Sequence, residues 1–196
     1  MSPLRRALLW LLALQLIRPL VTALLRLAGL SLWLELMLQE LLLWALPVLF
    51  LKRWQRPALR QKALLLAAIP AGGALQCLLA ALISLWESLV PMGSAALPLP
   101  QSAGEWSLAI LALGLVPAIA EESFFRGVLQ PAARERMGSR PALALSTALF
   151  AAMHGSLSGL PAHLCVGFLC ALCMERTGSL ALCVVLHASY NLTALA

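Results

Sequence analysis

Seven apolar runs divide this chain and leave little between them: Ala7 to Leu27, Ser31 to Leu51, Ala63 to Val90, Ser107 to Val128, Pro141 to Ser156, Leu160 to Met174 and Ser179 to Leu195. A helix that crosses the roughly 30 Å hydrocarbon core of a bilayer needs about 20 predominantly apolar residues. The fifth and sixth runs reach only about 22–24 Å at 1.5 Å per residue, which predicts a tilted, extended or partly re-entrant element there. Of the 196 residues, 62% are hydrophobic and 11% charged, whereas soluble domains are about 45–50% apolar and about 25% charged. The predicted fold is therefore all-α, a polytopic membrane bundle of about seven (six to eight) transmembrane helices. It forms a single integral membrane domain over residues 1–196, with no length left for a soluble catalytic domain, so any chemistry sits among the helices.

The net charge of +6 does not point to nucleic acid, because the cations lie in short gaps and form no aromatic-studded basic face. They act as topology signals instead. Alternating the runs places Arg5, Arg6, the loop Lys52 to Lys62, the stretch Arg134 to Arg140 and Arg176 on one side, while the gaps around Gly29, from Pro91 to Trp106 and around Gly155 hold no Lys or Arg. By the positive-inside rule the N-terminus is cytoplasmic and the C-terminus outside; the predicted location is the bacterial inner (cytoplasmic) membrane. The start, Arg5 and Arg6 before a Leu-rich run, resembles a signal peptide, but further apolar segments make a retained first helix the better reading. Cys77, Cys165, Cys170, Cys173 and Cys183 all lie within apolar runs and read as small buried hydrophobes, without the paired knuckle of a metal site.

Ionisable groups within the first two runs need partners, since each costs about 2.5–3.5 kcal/mol in hydrocarbon even on a lenient scale. Depths along the helices match Arg18 with Glu40, both about 16–17 Å from the inner boundary, and Arg26 with Glu35 near the outer edge. Two interhelical ion pairs are expected, although Arg26 and Glu35 can equally snorkel to the headgroups. Residues 1–90 are Leu-rich, whereas from Pro117 onward Ala, Gly and Ser are frequent. Small side chains let helices approach closely in lipid, which makes residues 107–196 the expected functional core.

The fourth run holds Pro117-Ala-Ile-Ala-Glu121-Glu122-Ser-Phe-Phe-Arg126-Gly127, two adjacent carboxylates and an arginine inside a membrane helix. Such a cluster is either a functional site or a structural charge cluster. Glu122 and Arg126 are i and i+4, the favourable order for an ion pair, and Glu121 points about 100° away. Glu121 is thus left unpaired and suited to act as a general base. Phe150 and His154 share a face of the fifth run; alone, a histidine at a helix end is more often a satisfied polar residue than a catalyst. His187 and Asn191 share a face of the seventh, placing two hydrogen-bond donors deep in apolar sequence, where they are expected to face a cavity. His163, with only Gly159 and Gly167 at helical spacing, reads as structural, and Tyr190 as an interfacial anchor.

Glu121-Glu122-x-x-x-Arg126, Phe150-x-x-x-His154 and His187-x-x-x-Asn191, in this order on successive membrane helices, resemble the three motifs of the intramembrane CAAX-protease and bacteriocin-processing family, which includes the type II CAAX prenyl endopeptidases. The resemblance spans about 75 residues of the second half and implies an intramembrane endopeptidase. In that reading Glu121 and His154 activate a water, His187 and Asn191 form an oxyanion hole, Glu122, Arg126 and Phe150 support them, and no cofactor is required. The substrate implied is a membrane-associated protein or peptide: a prenylated C-terminus, a peptide precursor or a C-terminal sorting helix. Two alternatives stay open, a zinc-dependent protease using the same glutamate and histidines and a non-enzymatic immunity or transport protein. The depths are a difficulty for either enzyme, because from the cytoplasmic boundary Glu121 falls at about 9 Å, His187 at about 12 Å and His154 at about 20 Å.

Overall fold

The computed structural model describes residues 1–45, 48, 62–89 and 97–196. Among them are seven helices: α1 (Pro3–Leu27), α2 (Leu32–Glu40, opening into a wider turn over Leu41–Ala45), α3 (Lys62–Leu89), α4 (Ala103–Met137), α5 (Ser139–Met153), α6 (Leu160–Thr177) and α7 (Leu180–Thr193). The chain is all-α over this range. Three helices, α1, α3 and α4, are long and apolar enough to cross a membrane, and α7 is a shorter apolar helix. The cationic loop from Lys52, up to residue 61, lies outside the described residues, as do the expected ends of the second and third runs at Leu51 and Val90 and the first part of the Pro91 to Trp106 gap.

Helix ends follow local chemistry. The hydroxyls of Ser2, Ser102 and Ser179 accept from the backbone N–H of Arg5 (3.3 Å), Glu105 (3.2 Å) and Leu182 (3.3 Å), each capping a first turn whose N–H groups have no helical partner. Between α4 and α5 the chain reverses at Gly138, whose φ of 84° is a conformation glycine adopts without a Cβ penalty. That glycine, rather than the expected boundary at Val128, ends α4. The last turns reach Met137, and Arg134 there pairs with Glu175 of α6 at 3.4 Å, so residues 134–137 are helix and not loop.

On α1, Leu4, Ala7, Leu11 and Leu14 form one buried stripe, while Leu9, Leu12, Leu16, Leu20 and Leu24 are exposed. In water that apolar area would be costly; against lipid it is the expected outer face of a spanning helix. Trp44, Phe124, Phe125 and Phe150 interlock with ring centroids 5.2–5.6 Å apart and fasten α2, α4 and α5 together. On the other side α7 lies along α3, where a Cβ on Gly72 would stand 2.5 Å from the carbonyl oxygen of Leu186 and 2.7 Å from Cβ of Ser189. This close approach is the small-residue packing expected of the second half, reached from the Leu-rich first half.

Of the two ion pairs expected in α1 and α2, Arg26 and Glu35 are joined at 3.2 Å. Arg18 and Glu40 are not paired. Arg18 Nη1 sits 3.5 Å from the carbonyl of Met153, because α1 packs its middle against the end of α5, and Glu40 turns into a cavity between the helices. All five cysteines are free; Cys170 and Cys183 are buried as expected, whereas Cys77 is exposed on α3. Over-packing a tight contact costs about 1–3 kcal/mol. Gly72→Val should therefore lower the melting temperature in detergent, while Gly104→Ala, whose added Cβ would come no closer than 3.9 Å to a neighbour, should leave it unchanged.

Candidate active site

A cavity of about 230 Å³ lies between α2, α4, α5, α6 and α7. Glu121 reaches it from the middle of α4, His154 from the end of α5, and His187 and Asn191 from successive turns of α7. The four side chains thus share one space. Glu121 Oε2 is 3.7 Å from His154 Nε2, too far for a direct hydrogen bond and close enough for one water to touch both. His154 Nδ1 is 2.8 Å from the carbonyl oxygen of Phe150; the carbonyl can only accept, so the ring's proton is on Nδ1 and, in the neutral imidazole, Nε2 offers a lone pair toward Glu121.

Glu122 points away from this space and organises its floor. Its Oε1 accepts from His187 Nδ1 at 2.9 Å, and its Oε2 lies 3.1 Å from Arg126 Nε. The Arg126 guanidinium is fully buried, donates from Nη2 to the carbonyl oxygen of Gly167 at 2.6 Å and stacks 4.8 Å above the Phe150 ring. Gly167 makes that contact feasible, since a Cβ there would be 2.9 Å from Phe150 Cδ1. Phe150 also packs against His154 and His187, with centroids 4.8 and 5.7 Å away. Glu122, held by Arg126, fixes the tautomer and direction of His187, and Phe150 packs against both imidazoles. The expected Glu122 to Arg126 pair is present, but the second partner of Glu122, a histidine 65 residues away, has no signature in helical spacing.

Convergence follows from the length of α4. Glu121 lies about 24 Å from the Met137 end and His154 about 22 Å from the Ser139 start, so the two meet at one height. Ending the fourth helix at Val128 accounts for the Glu121 to His154 part of the expected misfit.

Three polar residues that the sequence reading placed elsewhere also line the pocket: Glu40, His163 and Tyr190. His163 stacks on His154 with centroids 3.9 Å apart and planes at 23°, and its buried Nδ1 has no hydrogen-bond partner. A signal was present in Gly159, whose Cβ would come 2.6 Å from His163 Cε1: the glycine one turn away makes room for the ring. Glu40 approaches the Glu121 carboxyl closely enough to interact with it directly, while Arg18, its expected partner, acts on it electrostatically without a direct ion pair. Among the described residues, no three His, Cys, Asp or Glu side chains converge tightly enough to hold a metal ion.

Residues 103–193, which include all of these α4 to α7 side chains, match the family described as Type II CAAX prenyl endopeptidase Rce1-like. No curated protein and no solved structure matches the chain.

Removing one partner of a buried charge pair costs about 3–5 kcal/mol, or about 6–20 °C in melting temperature for a protein of this size. Glu122→Ala strands both Arg126 and His187 and should show a loss in that range in detergent; Glu122→Gln, which still accepts from His187, should lose less.

Proposed function

We propose that this chain is an intramembrane endopeptidase whose reaction runs on Glu121, His154, His187 and Asn191, a reading supported by the match of residues 103–193 to the Rce1-like type II CAAX prenyl endopeptidase family. The seven helices cross the bilayer with the N-terminus cytoplasmic, and the substrate is a membrane-associated protein or peptide. The observation that carries the reading is the 3.7 Å approach of Glu121 Oε2 to His154 Nε2 on a cavity that His187 and Asn191 also face.

Two acceptors side by side, a carboxylate and an imidazole lone pair, hold a water through both of its O–H groups. Glu121 removes a proton as the water oxygen bonds to the scissile carbonyl carbon. The resulting oxyanion accepts from the Asn191 amide and from His187 Nε2. Because His187 Nδ1–H is already given to Glu122, donation from Nε2 takes the doubly protonated ring, which together with Arg126 makes two cations against the two carboxylates Glu121 and Glu122. Collapse of the tetrahedral intermediate breaks the C–N bond, and the proton held by Glu121 passes to the departing amine. One water is consumed, and one carboxylic acid and one amine are released.

The functional test is cleavage of a membrane-embedded model peptide by purified variants. Glu121→Ala should abolish turnover, and wild-type-like cleavage by that variant would defeat the mechanism. Loss of one oxyanion donor is worth about 2.7–4 kcal/mol, so Asn191→Ala should lower kcat about a hundredfold or more; a binding or transport protein would tolerate it. Cleavage should also survive a metal chelator, whereas loss of activity restored by zinc would transfer the water activation to a metal.

A further inference from the structure

The first half of the chain sends a carboxyl into the cavity. Glu40 is the last residue of α2, where the helix opens into the wider turn over Leu41–Ala45, and it lines the cavity beside Glu121 and His154. Glu40 Oε2 and Glu121 Oε2 are both buried, and among the described residues neither meets a hydrogen-bond donor. The two side chains are nonetheless within hydrogen-bonding reach of each other. Residues 103–193, the segment that matches the protease family, do not include Glu40.

An ionised carboxyl can only accept, so two carboxylates in contact repel, and such a pair keeps one proton between them. The surroundings decide which carboxyl holds it. Glu121 stands in the field of His187, Arg126 and Arg18, opposed by Glu122, whereas the cation acting on Glu40 is Arg18, opposed by Glu121. Arg18 is engaged elsewhere, with Nη1 3.5 Å from the Met153 carbonyl. His154 and His163 face the same space from α5 and α6, and His154, its proton directed at the Phe150 carbonyl, adds no charge when neutral. Positive neighbours favour the ionised form, which puts the charge on Glu121 and the proton on Glu40.

We propose that Glu40 is a positioning residue for the reaction, a carboxylic acid whose O–H donates to the Glu121 carboxylate. That bond keeps Glu121 ionised in apolar surroundings and fixes its direction, while its remaining lone pairs face the water shared with His154 across 3.7 Å. Glu40 keeps its own proton as Glu121 takes one from the water and passes it to the departing amine. The role in catalysis rests on the protease reading of the cavity; the proton on Glu40 does not.

The proton is measurable without a substrate, by infrared difference spectroscopy on the full-length chain in lipid. A protonated carboxyl has a carbonyl stretch apart from the carboxylate bands, and it moves in D2O. The wild-type chain should show this band at neutral pH and Glu40→Gln should lack it. Glu40→Leu, an apolar replacement suited to apolar surroundings, should lack it too and decides if Glu40→Gln does not fold. A band unchanged by the substitution overturns the proposal. The role is read from cleavage of a membrane-embedded model peptide. Glu40→Leu removes a hydrogen bond to a charged group and should lower kcat about tenfold or more, whereas Glu40→Gln, which still donates, should recover most of that loss. Equal losses in the two variants would make Glu40 a packing residue and overturn the proposal. On the acid side, Glu40→Leu should lose activity at a higher pH than the wild type, because the bond that favours ionised Glu121 is gone; a change to lower pH, expected if Glu40 were the ionised partner, also overturns it. If the band depends on Glu40 but the wild-type chain cleaves nothing, the protease reading fails and the shared proton stands. Wild-type cleavage with a band that ignores Glu40 defeats this inference alone.

Discussion

The buried carboxylate of Glu122 is the hinge pin of this structure. It is fully enclosed, holds His187 at 2.9 Å and Arg126 at 3.1 Å, and through Arg126 reaches the backbone of α6 at Gly167. Three helices are thereby tied at one depth in a medium where van der Waals packing alone discriminates weakly between registers. A slip of α7 by one turn along α4 would strand His187 Nδ1–H and Glu122 Oε1 in apolar surroundings, while Arg126 stayed with Glu122 on α4. The geometry of Glu121 and His154, the pair proposed to hold the water, is set around this tie: Glu121 precedes Glu122 on the same helix, and Phe150 packs against Arg126 and both imidazoles.

Much of this arrangement was legible in the sequence, for identifiable reasons. Hydrophobic run length fixed the helices, because in hydrocarbon every backbone donor and acceptor must be satisfied within its own helix. Pairs at i and i+4 fixed which polar side chains share a face, so Glu122 with Arg126, Phe150 with His154 and His187 with Asn191 were readable as units. What spacing within a helix cannot encode is contact between helices. The His187 to Glu122 bond, the stacking of His163 on His154 and the entry of Glu40 into the cavity all join distant segments. Depth counting reached that far only where helix ends were placed well: it paired Arg26 with Glu35, and failed for Arg18 with Glu40 and for the height of Glu121.

Glycines carry part of what was missing. Gly72, Gly159 and Gly167 each stand where a Cβ would collide with another residue's atoms at 2.5–2.9 Å: the backbone of α7, the ring of His163 and the ring of Phe150. Read as absences of a side chain, they mark where α3 meets α7 and where two aromatic rings of the cavity are seated. The same reading explains why the small-residue composition of the second half coincides with the site: bulky neighbours would hold the helices too far apart for the imidazoles and carboxylates to meet.

The shortness of α5 has a consequence for the surrounding lipid. Its 15 residues extend about 22 Å, several ångströms less than an average hydrocarbon core. His154 ends it, followed by the polar turn Gly155, Ser156 and Ser158. A membrane meeting so short a wall relieves the mismatch by thinning locally, which draws the headgroup layer and its hydration inward beside His154. Beside so short a helix the reactant that any peptide hydrolysis consumes would have a shorter path from the headgroup layer to His154 than a full-length helix would leave it.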